Sequence, residues 1–118
     1  MYVTRHDQAR RYEAPGHHRM QMHRIQGMDV TPLQGVWSAR LDLQPGAQVE
    51  AKASPAAKLY LVTQGQVRFR GGEQTVQLDA GDSVFVMPHE EREFSECAGA
   101  TAQLYLVMLD HYPFPTTE

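Results

Sequence analysis

Residues 45–65 (PGAQVEAKASPAAKLYLVTQG) and 81–88 (GDSVFVMP) decide the fold of this chain. Pro-Gly and Gly-Asp pairs flank short apolar segments here, and such pairs mark turns. The run 59–63 is rich in residues that favour strands. Outward from this stretch, short segments of alternating apolar and polar residues recur, and no segment keeps the 3.6-residue period of a helix. The pattern predicts an all-β sandwich or barrel.

The order of glycines, strands and turns between residues 45 and 94 resembles the cupin family of small β-barrels. The resemblance covers roughly half of the chain, and the flanks are compatible with it. It implies an all-β, single-domain, RmlC-like cupin (jelly-roll) β-barrel. We predict an N-terminal arm over residues 1–17, the barrel over residues 18–112 and a tail over residues 113–118.

Composition and charge exclude several classes of partner. The 118 residues match one domain, and 42% hydrophobic with 21% charged residues is typical of globular proteins. A formal net charge of -3 disfavours nucleic acid and anionic membranes as partners. The sequence has no apolar run long enough to span a membrane and no secretory signal at its start. Together with the single cysteine, Cys97, these features predict a cytoplasmic protein.

The resemblance also implies where a metal would bind. Metal-binding cupins carry a His-x-His-x-x-x-Glu run on two inward-facing strands, and a further His follows later in the chain. In the register adopted here, these places fall on Ala51, Ala53, Ala57 and Arg92. Alanine has no donor atom, and a guanidinium is a permanent cation. We therefore predict a degenerate metal site, with no metal and no cofactor.

A register shifted by one residue stays open, because the neighbours of these alanines include polar residues such as Lys52 and Lys58. No shift creates a pair of histidine ligands, since no histidine lies between His23 and His89. We keep a metal-dependent dioxygenase whose ligands lie elsewhere in the chain as a third functional hypothesis, beside the two that follow.

Strand alternation predicts the lining of the barrel interior. The predicted lining residues are Val49, Ala51, Ala53, Ala57, Leu59, Leu61, Arg92 and Phe94. They describe an apolar lumen with one strong cation at its rim. Either the lumen binds a small anionic or amphipathic molecule through Arg92, or the barrel is filled by its own side chains and Arg92 pairs with Glu90 or Glu96.

The first functional hypothesis is a metal-independent cupin that binds a small, anionic or amphipathic molecule in the lumen. The second is a metal-free enzyme of the lyase, isomerase or epimerase type, in which Arg92 acts with a tyrosine or histidine. The candidates for that partner are Tyr60, Tyr105, His89 and His111. The sequence does not decide whether the protein is an enzyme.

We also expect a homodimer. Many members of the family dimerise through outer strands, and an arm such as residues 1–17 suits that use. Outer strand faces are expected to carry Val67, Phe69 or Leu104.

Overall fold

The computed structural model describes residues 1–112, and the predicted tail over residues 113–118 lies outside them. Within the described residues, a short 3-10 turn at His6–Gln8 precedes nine antiparallel strands. The strands are β1 (Arg10–Tyr12), β2 (His17–Gln26), β3 (Val36–Lys52), β4 (Ala57–Gln64), β5 (Gln66–Gly71), β6 (Gln74–Asp79), β7 (Ser83–Val86), β8 (Arg92–Glu96) and β9 (Ala102–Leu109). The predicted all-β class is confirmed. In this part of the chain, no helix is long and apolar enough to cross a membrane.

Strand β3 forms the corner between the two layers of the barrel. Its N-terminal part pairs with β9, from Val36 opposite Leu109 to Leu43 opposite Ala102. Its C-terminal part pairs with β8. One layer therefore runs β7-β4-β9-β3 and the other runs β3-β8-β5-β6, while β2 covers the other edge of β3 and carries β1. This arrangement is a jelly-roll β-barrel.

The pair Pro45-Gly46, predicted as a turn, bends β3 without ending it. Gly46 has a φ of 77°, a left-handed value that glycine adopts at little cost. Its backbone N–H donates a hydrogen bond of 2.9 Å to the carboxylate of Glu96. The bend is therefore held in place by the end of β8.

A β-bulge after this bend changes which side chains face the barrel interior. Val49 pairs with Phe94, whereas Lys52 pairs with Arg92, so three residue steps along β3 match two along β8. One extra residue moves the following side chains to the opposite face of the strand. Val49 and Lys52 therefore face the same way, although strict alternation places them on opposite faces.

The core lies between the two layers. Phe69 and Phe94 stack with ring centroids 5.3 Å apart, and Tyr60 meets both rings edge-on. The prediction that Val67, Phe69 and Leu104 lie on outer faces is wrong, because β5 and β9 turn these residues into the core. The strand phase adopted from the sequence was one residue off in both strands.

The N-terminal segment contributes to the barrel. Tyr12 pairs with Met22 in the β1–β2 ladder, and its ring meets Trp37 edge-on at 5.8 Å. The guanidinium of Arg24 lies 4.4 Å from the Tyr12 ring centroid and 4.9 Å from that of Trp37. Both are cation–π distances. The domain boundary at residue 17 stays a prediction, but residues 10–17 include a strand and pack against the site described next.

Candidate functional site

A cavity of about 260 Å³ lies between the two layers, at the C-terminal end of β3. Its polar and charged lining residues are Tyr12, Glu13, His17, Arg24, Lys52, Ser54, Lys58, Tyr60 and Arg92. Its apolar wall includes Trp37, Leu41, Leu106 and Met108. A depression of about 320 Å³ lies elsewhere and contains Arg68, which is exposed, and Arg70, whose guanidinium pairs with Glu93 and Glu91 at 2.7 and 2.8 Å. We therefore place the candidate site in the smaller cavity, where two cations, Lys58 and Arg92, are buried and pair with no carboxylate among the described residues.

The structure corrects the register of the metal-ligand places by one residue. Ala51 and Ala53 are exposed and absent from the cavity lining, and Ala57 is buried outside it. The same spacing of two and four residues falls instead on Lys52, Ser54 and Lys58, all of which line the cavity. The cause is the bulge between Val49 and Lys52, which reverses the alternation at this point.

The predicted orientation of Leu59 and Leu61 is also wrong. These side chains are 38% and 40% exposed, whereas Lys58, Tyr60 and Val62 are buried. Alternation along β4 was counted from Ala57, but the strand presents its even-numbered residues to the interior. Tyr60 therefore takes the place in the lumen that the sequence analysis assigned to two leucines.

Arg92, Val49 and Phe94 are all buried, but of these three predicted lining residues Val49 and Phe94 belong to the core and do not line the cavity. Arg92 faces the cavity and is only 4% exposed. Its Nε donates a hydrogen bond of 3.0 Å to the hydroxyl of Tyr60, and its Nη1 donates one of 2.9 Å to the Glu50 carbonyl oxygen.

Neither Glu90 nor Glu96, the predicted partners of Arg92, forms an ion pair with it. Glu96 instead accepts hydrogen bonds from the backbone N–H groups of residues 98–100 and of Gly46. Within residues 1–112, the Nη2 group of Arg92 makes no hydrogen bond to protein atoms. That nitrogen is therefore free to bind a ligand from the cavity.

Lys58 is the most unusual side chain of the site. It is 3% exposed, and its Nζ donates a hydrogen bond of 2.7 Å to the Ser54 hydroxyl. Among the described residues, no carboxylate oxygen lies within 4.0 Å of its amine. Burial, with added repulsion from Arg92 and Lys52, lowers the pKa of Lys58 to about 8.

His17 is the second titratable group at the cavity. Burial lowers its pKa, and the charges of Arg92 and Lys52 act in the same direction, so the ring is neutral at pH 7. Its Nδ1 lies 2.9 Å from the Pro15 carbonyl oxygen. Because a carbonyl oxygen accepts but does not donate, Nδ1 carries the proton and Nε2 carries a lone pair.

The tyrosines of the cavity are neutral hydroxyl groups. Burial raises the pKa of Tyr12 to about 12 and also raises the pKa of Tyr60, against the opposing charge and hydrogen bond of Arg92. The other predicted partners of Arg92, which are Tyr105, His89 and His111, do not line the cavity. Tyr60 is therefore the candidate that the structure brings to Arg92, and His17 is a cavity histidine that was not among the predicted acid–base candidates.

The residues of the site do not fit the metal that many cupins bind. In the corrected register, the four ligand places hold two lysine amines, a serine hydroxyl and a guanidinium, and lysine and arginine cations repel a metal ion. Within residues 1–112, no three His, Cys, Asp or Glu side chains gather in a way that would hold one. The absence of a bound metal and of a cofactor in the native protein stays a prediction.

Comparison with known proteins agrees with this architecture. Residues 39–109 match the family described as "Cupin domain". The chain is also 31% identical over 112 residues to a curated protein of Mycobacterium tuberculosis named Beta-D-galactosidase, covering 94% of this chain and 95% of that protein. The chain therefore belongs to the cupin family.

Solved structures share the fold at low sequence identity. An RmlC-like cupin from Shewanella frigidimarina superposes with a TM-score of 0.79 at 15% identity, covering 96% of this chain and 94% of that one. The polyketide cyclase RemF from Streptomyces resistomycificus gives a TM-score of 0.80 at 13% identity, covering 100% and 88%. These similarities support the cupin barrel and do not extend to activity.

Proposed function

We propose that this cupin is a metal-independent protein that binds a small anionic molecule in the barrel cavity. One observation carries the proposal: Lys58 and Arg92 are both buried at this cavity, and no described carboxylate pairs with either. A buried cation without a counter-charge is costly, and an anionic ligand removes that cost. The nearby Arg24 is different, because Asp29 already accepts a hydrogen bond from it at 3.3 Å.

The distribution of charge within the chain supports the same ligand class. Although the net charge is -3, both lysines of the chain line this one cavity together with Arg92. Among the described residues that line the cavity, Glu13 is the one carboxylate. A carboxylate or phosphate would meet the free Nη2 of Arg92 and the amines, which are strong donors to such groups.

The size and the apolar wall of the cavity restrict the ligand further. A volume of about 260 Å³ suits a small metabolite. Trp37, Leu106 and Met108 supply an apolar surface opposite the cations. We infer an amphipathic anion, such as an oxo acid, a sugar acid or a sugar phosphate.

The mycobacterial relative, which is named for a galactosidase, suggests that the anionic ligand is a carbohydrate. Glycoside hydrolysis by the common route uses two carboxyl groups on either side of the scissile bond. The cavity offers one among the described residues, Glu13. We therefore propose that this chain binds a carbohydrate that carries an acidic group. We do not extend the hydrolytic activity of that relative to this chain.

A second candidate function is a metal-free lyase or isomerase acting on the same anion. It is favoured by the 3.0 Å contact between Arg92 and Tyr60, and by a neutral His17 whose Nε2 can accept a proton. In this reading Arg92 holds the anion, and His17 and the Tyr60 hydroxyl exchange protons with it.

Location in the cytoplasm, as the sequence predicts, is part of the proposal.

Isothermal calorimetry with matched ligand pairs tests the proposal. We expect galacturonate to bind and galactose, which differs by lacking the carboxylate, to bind far more weakly. Lys58→Met and Arg92→Met should weaken galacturonate binding, whereas Arg68→Met, at an exposed position outside the cavity, should not. Equal binding of both sugars, or unchanged affinity in Lys58→Met, contradicts the proposal. NMR spectra of the incubated ligand report turnover and so distinguish enzyme from binding protein.

A further inference from the structure

Lysine is rare in this chain, and its two occurrences lie together. Of the eleven lysine and arginine residues, nine are arginine, and both lysines face one cavity. For binding an anion alone, arginine serves as well or better, because its guanidinium donates two parallel hydrogen bonds. A lysine amine differs from arginine in one chemical respect: it can lose its proton and act as a nucleophile.

The surroundings of Lys58 are those of a nucleophilic amine. The side chain is buried beside Tyr60 and Arg92, and its Nζ is oriented by the Ser54 hydroxyl at 2.7 Å. An N–H of the neutral amine can make this hydrogen bond, which leaves the nitrogen lone pair directed elsewhere. Desolvation and an adjacent cation are the two usual means of activating a lysine, and both operate here.

We propose that Lys58 forms a reversible imine with the carbonyl carbon of a small oxo acid whose carboxylate is held by Arg92 and Lys52. This inference rests on the proposed anion site and assigns it a substrate class. The neutral amine attacks the carbonyl carbon and gives a carbinolamine. The carbonyl oxygen then leaves as water with the two protons of the amine, and a C=N bond remains.

Neighbouring groups supply the proton transfers that these steps need. Expulsion of water requires a proton on the departing oxygen, and the neutral Tyr60 hydroxyl lies at the same cavity. The Nε2 lone pair of His17 can accept a proton from the attacking amine. An imine nitrogen carrying a proton withdraws electrons from the adjacent carbon, which is the chemistry behind many metal-free lyases.

Borohydride trapping tests the proposal on the full-length protein. The protein is incubated with pyruvate and sodium borohydride, which reduces an imine to a stable secondary amine. Because Lys52, Lys58 and the N-terminus are the primary amines of the chain, peptide mass spectrometry assigns the adduct without ambiguity. We expect the pyruvate adduct, less water and plus two hydrogens, on Lys58. Lactate, which has the carboxylate but no ketone, should give no adduct and should protect Lys58 when added in excess.

Matched variants distinguish the role of Lys58 as a nucleophile from its role as a positive charge. Lys58→Arg keeps a cation and should lose trapping while still binding lactate, whereas Lys52→Arg should still form the adduct on Lys58. Lactate protection in the wild-type protein keeps the test decisive if Lys58→Arg fails to fold. Labelling of Lys52 or the N-terminus to the same extent as Lys58, or no adduct at all, overturns the imine. If calorimetry then still detects lactate or galacturonate, the anion site stands without the imine; if it detects neither, both proposals fail.

Discussion

Arg92 on β8 and Tyr60 on β4 are joined by a hydrogen bond of 3.0 Å between Nε and the phenol oxygen. The two strands belong to different layers of the barrel, so this bond connects the layers at the cavity. A second bond, from Nη1 to the Glu50 carbonyl oxygen, fixes the plane of the guanidinium. The orientation of the remaining nitrogen, Nη2, is therefore set before any ligand binds, and such preorganisation favours affinity.

Our first prediction concerns Arg92→Met, which keeps an apolar stem and removes the charge. Loss of a charged hydrogen bond should weaken the binding of an anionic ligand by about 1.5–3 kcal/mol. Arg92 also contributes to folding, because it is 4% exposed and satisfies the Tyr60 hydroxyl. We therefore expect an added loss of about 1–3 kcal/mol in unfolding free energy. Calorimetry and urea denaturation measure the two effects.

Tyr60→Phe is the matched control for this prediction. It removes the hydroxyl and keeps the ring that packs on Phe69 and Phe94. We expect a small loss of stability and weaker ligand binding, because the guanidinium then rotates more freely. A Tyr60→Phe protein that binds galacturonate as tightly as the wild type would show that this contact does not orient Arg92.

The second prediction is that Lys58→Met stabilises the protein while weakening ligand binding. The amine is buried among cations, and no carboxylate among the described residues offsets its charge. Methionine fills a similar volume without that charge. Sites of function commonly cost stability in this way. A lower melting temperature for Lys58→Met than for the wild type would contradict the argument.

The same lysine predicts the third effect, a rise of stability with pH. The pKa of Lys58 is about 8 in the folded state and near 10.5 when unfolded. Between these values the unfolded state holds more protons, so unfolding free energy increases as the pH rises from about 8 toward 10. Above that range, the raised pKa values of Tyr12 and Tyr60 act in the opposite direction. Subtracting the profile of Lys58→Met isolates the contribution of the lysine, and identical profiles would show that its pKa is not lowered.

The sequence was sufficient for the fold because turn residues and strand periodicity are local signals. Gly65 illustrates this point: its φ is 81°, and a Cβ there would lie 2.6 Å from the Thr101 carbonyl oxygen. At this position the positive φ of Gly65 permits the turn from β4 into β5, which a residue with a Cβ would make at a cost. The resemblance to cupins rests on a series of such positions, and the family was confirmed.

The lining of the site was harder to predict because it depends on strand phase. A single bulge between Val49 and Lys52 moved the inward face from Ala51 and Ala53 to their neighbours. Nothing in the local sequence marks that bulge, since it arises from pairing with β8, some forty residues later in the chain. One signal was present: the two lysines of the chain lie six residues apart, at the spacing of the first and last ligand of the family motif.

The fourth prediction is a homodimer formed through the outer face of β4 and β7. Val67, Phe69 and Leu104 cannot form the interface, because all three are buried. A different set of apolar side chains is exposed, comprising Leu59, Leu61, Phe85 and Met87. Leu59 pairs with Phe85 across the two strands, so these residues form one patch, and exposed apolar patches on sheets favour association. Light scattering at micromolar concentration should report a dimer, and Leu61→Glu should convert it to a monomer while Gln77→Glu does not. A monomeric wild-type protein would refute the prediction.

The last prediction tests the corrected register by building the metal site that the chain lacks. Lys52→His, Ser54→His, Lys58→Glu and Arg92→His together place three imidazoles and one carboxylate on side chains that now line the cavity. The control variant keeps Lys58→Glu and Arg92→His but carries Ala51→His and Ala53→His, whose side chains are exposed. We expect zinc or nickel to raise the melting temperature of the first variant and not of the control, since binding to the folded state alone stabilises it by mass action. Binding should be weak, because no partner groups orient the new imidazoles.

The wild-type protein, purified without a metal-affinity tag, should contain far less than one equivalent of metal, and chelator should leave its melting temperature unchanged. Equal stabilisation of both variants would show that the correction of the register by one residue is wrong. Stoichiometric metal in the wild-type protein would show that the cations of this cavity do not exclude a metal ion.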